Sequence, residues 1–317
     1  MITAYSLNES GVQIDTLSLD DALPAGCIWL DVVEPEDAER EWLDQYFVEE
    51  VPDTEDLDEI EATSRFFTDK DGLHILSLFP HRAGKDIRNI NVSFNLRRNI
   101  LITLRDDEVG LFRLVRNYLK RQQLEVQAPL EIMIRLFTAK VDYLADLLEE
   151  VYESLEEASQ MALRDDSGER DEVLKNITVQ EDFNGQIRLN LMDSQRSMRF
   201  LARNSRSLMD DTQLVEVKEM LRDIDSLMPH TSFLFDKINF LMDATMGFSN
   251  LEQSRIIKIF SIAAVVFLPP TVIASAYGMN FEIMPELQWA FGYPMALGMM
   301  VMSAVGTYLF FKIRGWL

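Results

Sequence analysis

The sequence contains few of the side chains that enzymes and metal-binding domains commonly use. It has one cysteine, Cys27, and three histidines among 317 residues, so an internal disulfide and a cysteine-rich zinc site are both excluded. His74 lies in a strand pattern, which favours a structural role over a ligand role. No phosphate-binding loop, G-x-G-x-x-G turn, G-x-S-x-G turn or H-E-x-x-H motif occurs. The sequence therefore predicts that the protein is not an enzyme.

Positive charge is also scarce. The 30 lysines and arginines are outnumbered by 53 aspartates and glutamates, for a net charge of −23. Residues 251–317 contain four basic and three acidic side chains, a net of +1, which leaves −24 on residues 1–250. An acidic surface of this size repels nucleic acid and attracts cations, either as counterions or as bound divalents. A surface that only keeps the protein soluble would have the same composition.

Two long apolar runs lie near the C-terminal end. Residues 256–276 contain one charge, Lys258, and residues 291–311 contain none. At about 1.5 Å per residue each run reaches roughly 30 Å, which is the thickness of a bilayer core. Two such runs separated by 14 residues favour a membrane hairpin over a buried core helix.

Flanking charges predict how the hairpin is oriented. The loop 277–290 has no lysine or arginine and carries Glu282 and Glu286. The positive-inside rule places this loop outside and both termini in the cytoplasm. The first residues, MITAYSLNES, lack the basic and apolar stretches of a secretory signal. We therefore expect a multi-pass protein of the inner (plasma) membrane. The basic side chains that flank the runs are Arg255, Lys258, Lys312 and Arg314.

Residues 1–125 mix strand and helix signals and predict a cytoplasmic α/β domain. CIWLDVV at 27–33 is typical of a strand, and residues 34–47 favour a helix. Residues 64–79 and 91–107 each predict a hairpin around a polar turn.

Residues 126–250 predict a helical stalk, and residues 251–317 the transmembrane domain. Helical patterns cover 130–163 and 171–207, and a third begins near Asp211. The third is nearly continuous with the first apolar run and would reach roughly 90 Å. A helix of that length needs partners, so we expect parallel copies around an axis. In the first helix the apolar positions spaced by three and four are Leu136, Val141, Leu144, Leu148, Val151 and Leu155.

Two spans in one chain cannot enclose a water-filled path, so transport would require an oligomer. Mostly small or hydroxyl-bearing residues recur on one face of the first span with a period near 3.5. This stripe could line a path, or it could pack against another helix, because membrane interfaces favour small residues. Its members are Ser254, Ile257, Ser261, Ala264, Leu268, Thr271 and Ser275.

The composition of the first span indicates what could pass along it. No carboxylate lies between Glu252 and Glu282, so a neutral path would suit a hydrated ion better than a stripped one. Ile257 and Leu268 could close such a path by dewetting. The Pro269-Pro270 pair interrupts the hydrogen-bond ladder and could bend the helix.

Several segments together resemble the CorA family of magnesium transporters, over the full length of the chain. YGMNFEIMPELQWAFGYP at 277–294 is similar to the external loop of that family, and FLPPT at 267–271 to the break within its first span. KIRGWL at 312–317 is similar to its basic terminus, and EIEATSRFF at 59–67 to its cytoplasmic domain.

The resemblance implies a homopentameric funnel in which five copies of the first span line the pore. It implies a selectivity filter in which backbone carbonyls of Gly278 and Met279 and the amide oxygen of Asn280 hold hydrated Mg²⁺. Glu282 and Glu286 would raise the local cation concentration. A helix C-cap is the structural alternative for Asn280.

The family also implies roles deeper in the chain. Ile257 and Leu268 align with a hydrophobic constriction and Thr271 with a polar ring above it. Ser254 departs from the family, which commonly has asparagine there. Cytoplasmic Mg²⁺ bound between subunits would hold the pore shut, and Asp223 is the candidate regulatory ligand, with no partner identified from the sequence.

The function that follows is passive Mg²⁺ uptake, with Co²⁺ and Ni²⁺ as further ions. One alternative is a zinc transporter of a related branch, against which Met279 counts. Another is a membrane-anchored divalent sensor that does not conduct.

Overall fold

The computed structural model describes most of the chain as two compact units, Met1–Met242 and Asp243–Leu317. Glu282 and the start of the EIEATSRFF segment lie outside the described residues. The described residues are 1–8, 11–46, 65–70, 72–84, 86–97, 99–124, 126–162, 167–205, 209–280 and 284–315.

A seven-stranded sheet forms the base of the first unit. Its central pair, β3 and β7, is parallel, with Trp29 opposite Leu101, and the pairs on either side are antiparallel. The strand order is β2-β1-β3-β7-β6-β5-β4. The strands are β1 Ile2–Asn8, β2 Gly11–Leu17, β3 Cys27–Val33, β4 Phe66–Thr68, β5 Gly72–Ala83, β6 Asp86–Arg97 and β7 Ile100–Arg105.

The two predicted hairpins are confirmed. In the β4–β5 hairpin the amide of Gly72 donates to Asp69 Oδ1 at 2.8 Å, which closes the turn. The β6–β7 hairpin turns between Arg97 and Ile100, which are register partners. The β5–β6 hairpin, with twelve paired positions, was not predicted. It turns at Gly84, whose φ of 68° favours glycine.

Six α-helices complete the described part of the chain, and the predicted α/β class with long helices is confirmed. The helix predicted over 34–47 begins later than expected, at Asp37. The helix predicted over 171–207 begins earlier than expected, at Ser167. The helices are α1 Asp37–Tyr46, α2 Gly110–Lys120, α3 Pro129–Ala162, α4 Ser167–Asn204, α5 Asp211–Tyr277 and α6 Gly292–Ile313, with a 3-10 turn at Pro285–Gln288.

The sheet has an apolar core on each face. On one face Trp42 and Leu43 of α1 pack with Leu30 and Ile102. On the other an aromatic cluster joins the sheet to the long helices, with the ring of Phe79 5.6 Å from that of Phe137 in α3. Pro129 begins α3, a position where its missing amide hydrogen costs no hydrogen bond. All six apolar positions predicted from the spacing in α3 are buried.

Helix α5 is one helix of 67 residues, so the predicted continuation of the stalk into the first span is confirmed. Its first half contributes buried side chains to the larger core, among them Val217, Ile224, Leu234 and Ile238. Successive members of this set are 7, 10 and 4 residues apart, spacings that place them on one face of the helix. The fold therefore uses α5 twice, as a core helix first and as an apolar span afterwards.

Candidate functional site

Two helices of the described residues are long and apolar enough to cross a membrane, α5 and α6. Large apolar side chains on both are exposed, including Phe260, Phe267 and Val301. Exposed apolar surface of this extent is unfavourable in water and is satisfied by lipid or by another protein surface.

The predicted stripe lies on an exposed face of α5. All seven of its side chains are exposed, from Ser254 to Ser275, whereas Ile262, Val266 and Ile273 on another face are partly covered. The hydroxyl of Thr271 donates to the carbonyl of Phe267 at 2.8 Å. The chain itself therefore leaves the stripe uncovered, and α5 continues as a helix through the proline pair.

The helix stops at the Gly-Met-Asn segment. The amide of Gly278 donates to the carbonyl of Ala274 at 2.9 Å, and that of Met279 to the carbonyl of Ala276 at 3.4 Å. A Cβ atom on Gly278 would lie 3.2 Å from the Ala274 oxygen, a tight contact. Neither Gly278 nor Asn280 has positive φ, so neither forms the left-handed C-cap that these residue types favour.

Met279 and Asn280 are exposed at the end of the helix. Asn280 presents a neutral amide, a group that can offer an oxygen to a cation or to its waters. This geometry allows a role in ion binding.

The 3-10 turn Pro285–Gln288 packs against the start of α6. Glu286 lies in the 3-10 turn and is half-buried. The amide of Gly292 donates to the carbonyl of Trp289 at 3.0 Å. A Cβ on Gly292 would lie only 2.2 Å from the Glu286 carbonyl oxygen, so this contact requires glycine.

Asp223 lies in an acidic cleft of the first unit, of about 260 Å³. The pKa of Asp142 in α3 is raised, mainly by partial burial and to a smaller extent by the negative charges of Asp146 and Asp223. Asp142 is therefore a neighbour of Asp223 that the sequence did not identify. The spacing of four between Asp142 and Asp146 puts both carboxylates on one face of α3, and this was the available sequence signal. The cleft is lined by Arg135, Thr138, Val141, Asp142, Glu216, Glu219, Met220 and Asp223.

Within the described ranges, no group of three or more histidine, cysteine or acidic side chains is placed to hold a metal ion. A divalent cation at Asp223 would therefore need ligands from water or from another copy of the chain.

Other polar side chains are buried for structural reasons. The ring of His74 is buried, with Nδ1 2.6 Å from Asn95 Oδ1 and Nε2 2.9 Å from Asp69 Oδ2. Asp31 and Arg105 form a fully buried ion pair, and the Arg105 guanidinium lies 4.0 Å from the centre of the Phe112 ring. These groups join strands to one another and to α2, and the sequence analysis did not foresee the ion pair.

The chain was compared with known protein families, sequences and structures. A family described as CorA-like Mg²⁺ transporter protein matches residues 24–313. Two relatives, each named magnesium transport protein CorA, come from Yersinia pseudotuberculosis and Pectobacterium atrosepticum. The chain is 44% identical to the first over 320 residues and 45% identical to the second over 321. Both alignments cover 100% of this chain and 100% of the relative.

Among solved structures, the complete structure of the CorA magnesium transporter from Methanocaldococcus jannaschii has a similar fold. The TM-score is 0.79, and the match covers 100% of this chain and 99% of that one. At 18% sequence identity this similarity concerns the fold alone.

Proposed function

Because this chain belongs to the family of CorA-like Mg²⁺ transporter proteins, we propose that it carries Mg²⁺ across the inner membrane. The ion follows a path between copies of α5 and is selected at Gly278-Met279-Asn280. The observation that carries the proposal is the uncovered stripe of α5, which has no charged member and ends at this segment.

The path is made by a homopentamer. One copy of α5 exposes the stripe and cannot surround an ion, so several copies must face one axis. Five copies agree with the family that the sequence resembles, with α6 outside the ring. The small and hydroxyl side chains of Ser261, Ala264 and Ser275 leave room for an ion that keeps its water.

The filter binds Mg²⁺ through the ion's hydration waters. Magnesium loses its hydration shell reluctantly and usually keeps several waters. A ring of Asn280 amide oxygens, with carbonyls of Gly278 and Met279 nearby, accepts hydrogen bonds from those waters without a fixed negative charge. Glu282 and Glu286 attract cations to the outer mouth through their charge. Co²⁺ and Ni²⁺, with hydrated sizes similar to that of Mg²⁺, pass along the same path.

The gate has two parts. Ile257 and Leu268 narrow the path with apolar rings that exclude water in the closed state. Asp223 is the regulatory ligand, and cytoplasmic Mg²⁺ that bridges it to a neighbouring copy holds the ring of subunits shut. When Mg²⁺ falls, repulsion between acidic clefts loosens the ring.

Both termini lie in the cytoplasm and the segment after Asn280 lies outside. The inward-negative potential then drives uptake, since each elementary charge gains about 2.3 kcal/mol per 100 mV and a divalent ion gains roughly twice that.

The test is Mg²⁺ uptake into liposomes that contain the purified full-length protein, an internal dye and little internal Mg²⁺. We expect Asn280→Ala to abolish uptake while the oligomer stays intact. Gln288→Ala, a neutral exposed side chain of the same outer segment, should transport as wild type does.

Uptake unchanged in Asn280→Ala would remove Asn280 from the filter. No uptake by wild type, combined with intact Mg²⁺ binding, would favour a sensor that does not conduct. Uptake of Zn²⁺ in preference to Mg²⁺ would favour the zinc branch.

A further inference from the structure

An apolar groove lies beside α5, near the basic end of the two membrane helices. It has a volume of about 390 Å³, within the size range of pockets that bind small molecules. Four residues from α5 and one from α6 line it. They are Lys258, Ser261, Ile262, Val265 and Phe311. Apart from the ammonium group and one hydroxyl, this surface suits a hydrocarbon chain.

The charge of Lys258 restricts what can fill the groove. No aspartate or glutamate occurs from Gln253 to Asn280 or from Phe291 to the C-terminus. The preceding carboxylate of α5 belongs to Glu252, six residues or about 9 Å away along the axis. A second copy of either helix packed into the groove would therefore cover the ammonium group without a counter-charge at its own level, which is costly in a membrane.

We propose that the groove binds an anionic phospholipid, with one acyl chain against Ile262, Val265 and Phe311 and the phosphate at Lys258. A phosphate supplies the negative charge that the apolar spans of the two helices lack. Arg255, three residues before Lys258, adds to the positive potential at this end. Basic side chains near a membrane surface attract anionic lipid by about 1 kcal/mol each.

This site is separate from the proposed filter at the other end of α5. Ser261 belongs to both the groove and the stripe, so the bound lipid lies along the flank of the stripe. The inference requires that α5 and α6 lie in a membrane and does not require that the protein conducts Mg²⁺. A failure of the uptake experiment would leave it standing.

The test titrates full-length protein in detergent with phosphatidylglycerol or phosphatidylcholine and counts bound lipid by native mass spectrometry. We expect wild type to prefer phosphatidylglycerol and Lys258→Gln to bind it about fivefold more weakly, the factor that corresponds to about 1 kcal/mol. Lys312→Gln removes a basic side chain that does not line the groove, and should lose less than half of that effect.

A second variant addresses the groove without changing any charge. Val265→Trp fills it and should weaken binding of both lipids, whereas Ile259→Trp, on a part of α5 that does not line the groove, should not. Melting temperature and oligomeric state report whether each variant is folded.

Three results would overturn the proposal. Equal losses in Lys258→Gln and Lys312→Gln would mean general surface attraction. Competition by inorganic phosphate at matched concentration would mean an anion site rather than a lipid site. A disulfide between copies of Val265→Cys that forms regardless of added phosphatidylglycerol would mean that a second chain fills the groove.

Discussion

The ammonium group of Lys140 lies 3.3 Å from Oδ2 of Asp193 and has no exposed surface. The pair joins α3 to α4, and Ser77 of β5 lies 3.2 Å from the same ammonium. The amide of Leu78 donates to the Asp193 carboxylate at 2.9 Å, so this carboxylate connects both helices to the sheet.

Lys140 makes the stability of the protein change with pH in the alkaline range. Burial lowers its pKa from 10.5 to about 8, with the Asp193 charge opposing the shift. The unfolded chain keeps this proton up to about pH 10.5, so folding binds fewer protons and stability rises with pH between 8 and 10.5. We expect the free energy of unfolding of wild type, relative to Lys140→Met, to rise by about 2 kcal/mol from pH 7.5 to 9.5.

Urea unfolding of the full-length protein in detergent, followed by tryptophan fluorescence, measures this difference. Lys218→Met removes an exposed lysine and should leave the pH dependence as in wild type. Parallel pH profiles for wild type and Lys140→Met would contradict the prediction.

Gly72 should tolerate a side chain poorly. A Cβ at this position would lie 2.2 Å from the carbonyl oxygen of Leu96 in the neighbouring strand, and two backbone segments would have to separate. Gly72→Ala should destabilise the protein by about 1–3 kcal/mol. Gly110→Ala, where no atom lies within 4 Å of the added carbon, should be neutral or slightly stabilising. Urea unfolding compares the two, and equal losses would argue against the close strand contact.

Gly292 should control the shape of the segment after the proposed filter. Its Cβ would meet the Glu286 carbonyl oxygen at 2.2 Å, so Gly292→Ala must displace the 3-10 turn Pro285–Gln288. The amides of Leu287 and Trp289 donate hydrogen bonds within this turn. Their hydrogen exchange should become about tenfold faster, which corresponds to a decrease of about 1.4 kcal/mol in the free energy of local opening. Gly298→Ala meets no atom within 4 Å and serves as the control. Unchanged exchange in Gly292→Ala would refute the contact.

Asp223 should set how much cytoplasmic Mg²⁺ closes the transporter. Asp223→Asn removes a proposed ligand and one of the charges that raise the pKa of Asp142. We expect the internal Mg²⁺ concentration that halves liposome uptake to rise by about fivefold, the lower range of allosteric coupling. Asp225→Asn is the control, because Asp225 contacts Gln195 and Arg199 instead. An unchanged midpoint in Asp223→Asn would exclude it as the regulatory ligand.

The sequence predicted elements well where local pattern and buried surface agree. The 27–33 strand, the polar turns of two hairpins and the apolar spacing of α3 each depend on residues that are close in sequence. The start of α4 was placed less well, because the four residues 167–170 ahead of the predicted start are Ser, Gly, Glu and Arg and carry no apolar periodicity. Strands β1 and β2 and helix α2 escaped prediction altogether.

The sequence by itself determined the two apolar spans, the neutral stripe and the acidic N-terminal region, because hydropathy and charge are properties of composition and short-range periodicity. Only the tertiary structure decided that Asp142 and Asp223 line one cleft, that Lys140 meets Asp193, and that Lys258 shares a groove with Phe311. Each of these relationships joins residues more than 50 positions apart. Such distances are closed by packing against the sheet or between helices, and local sequence patterns do not encode them.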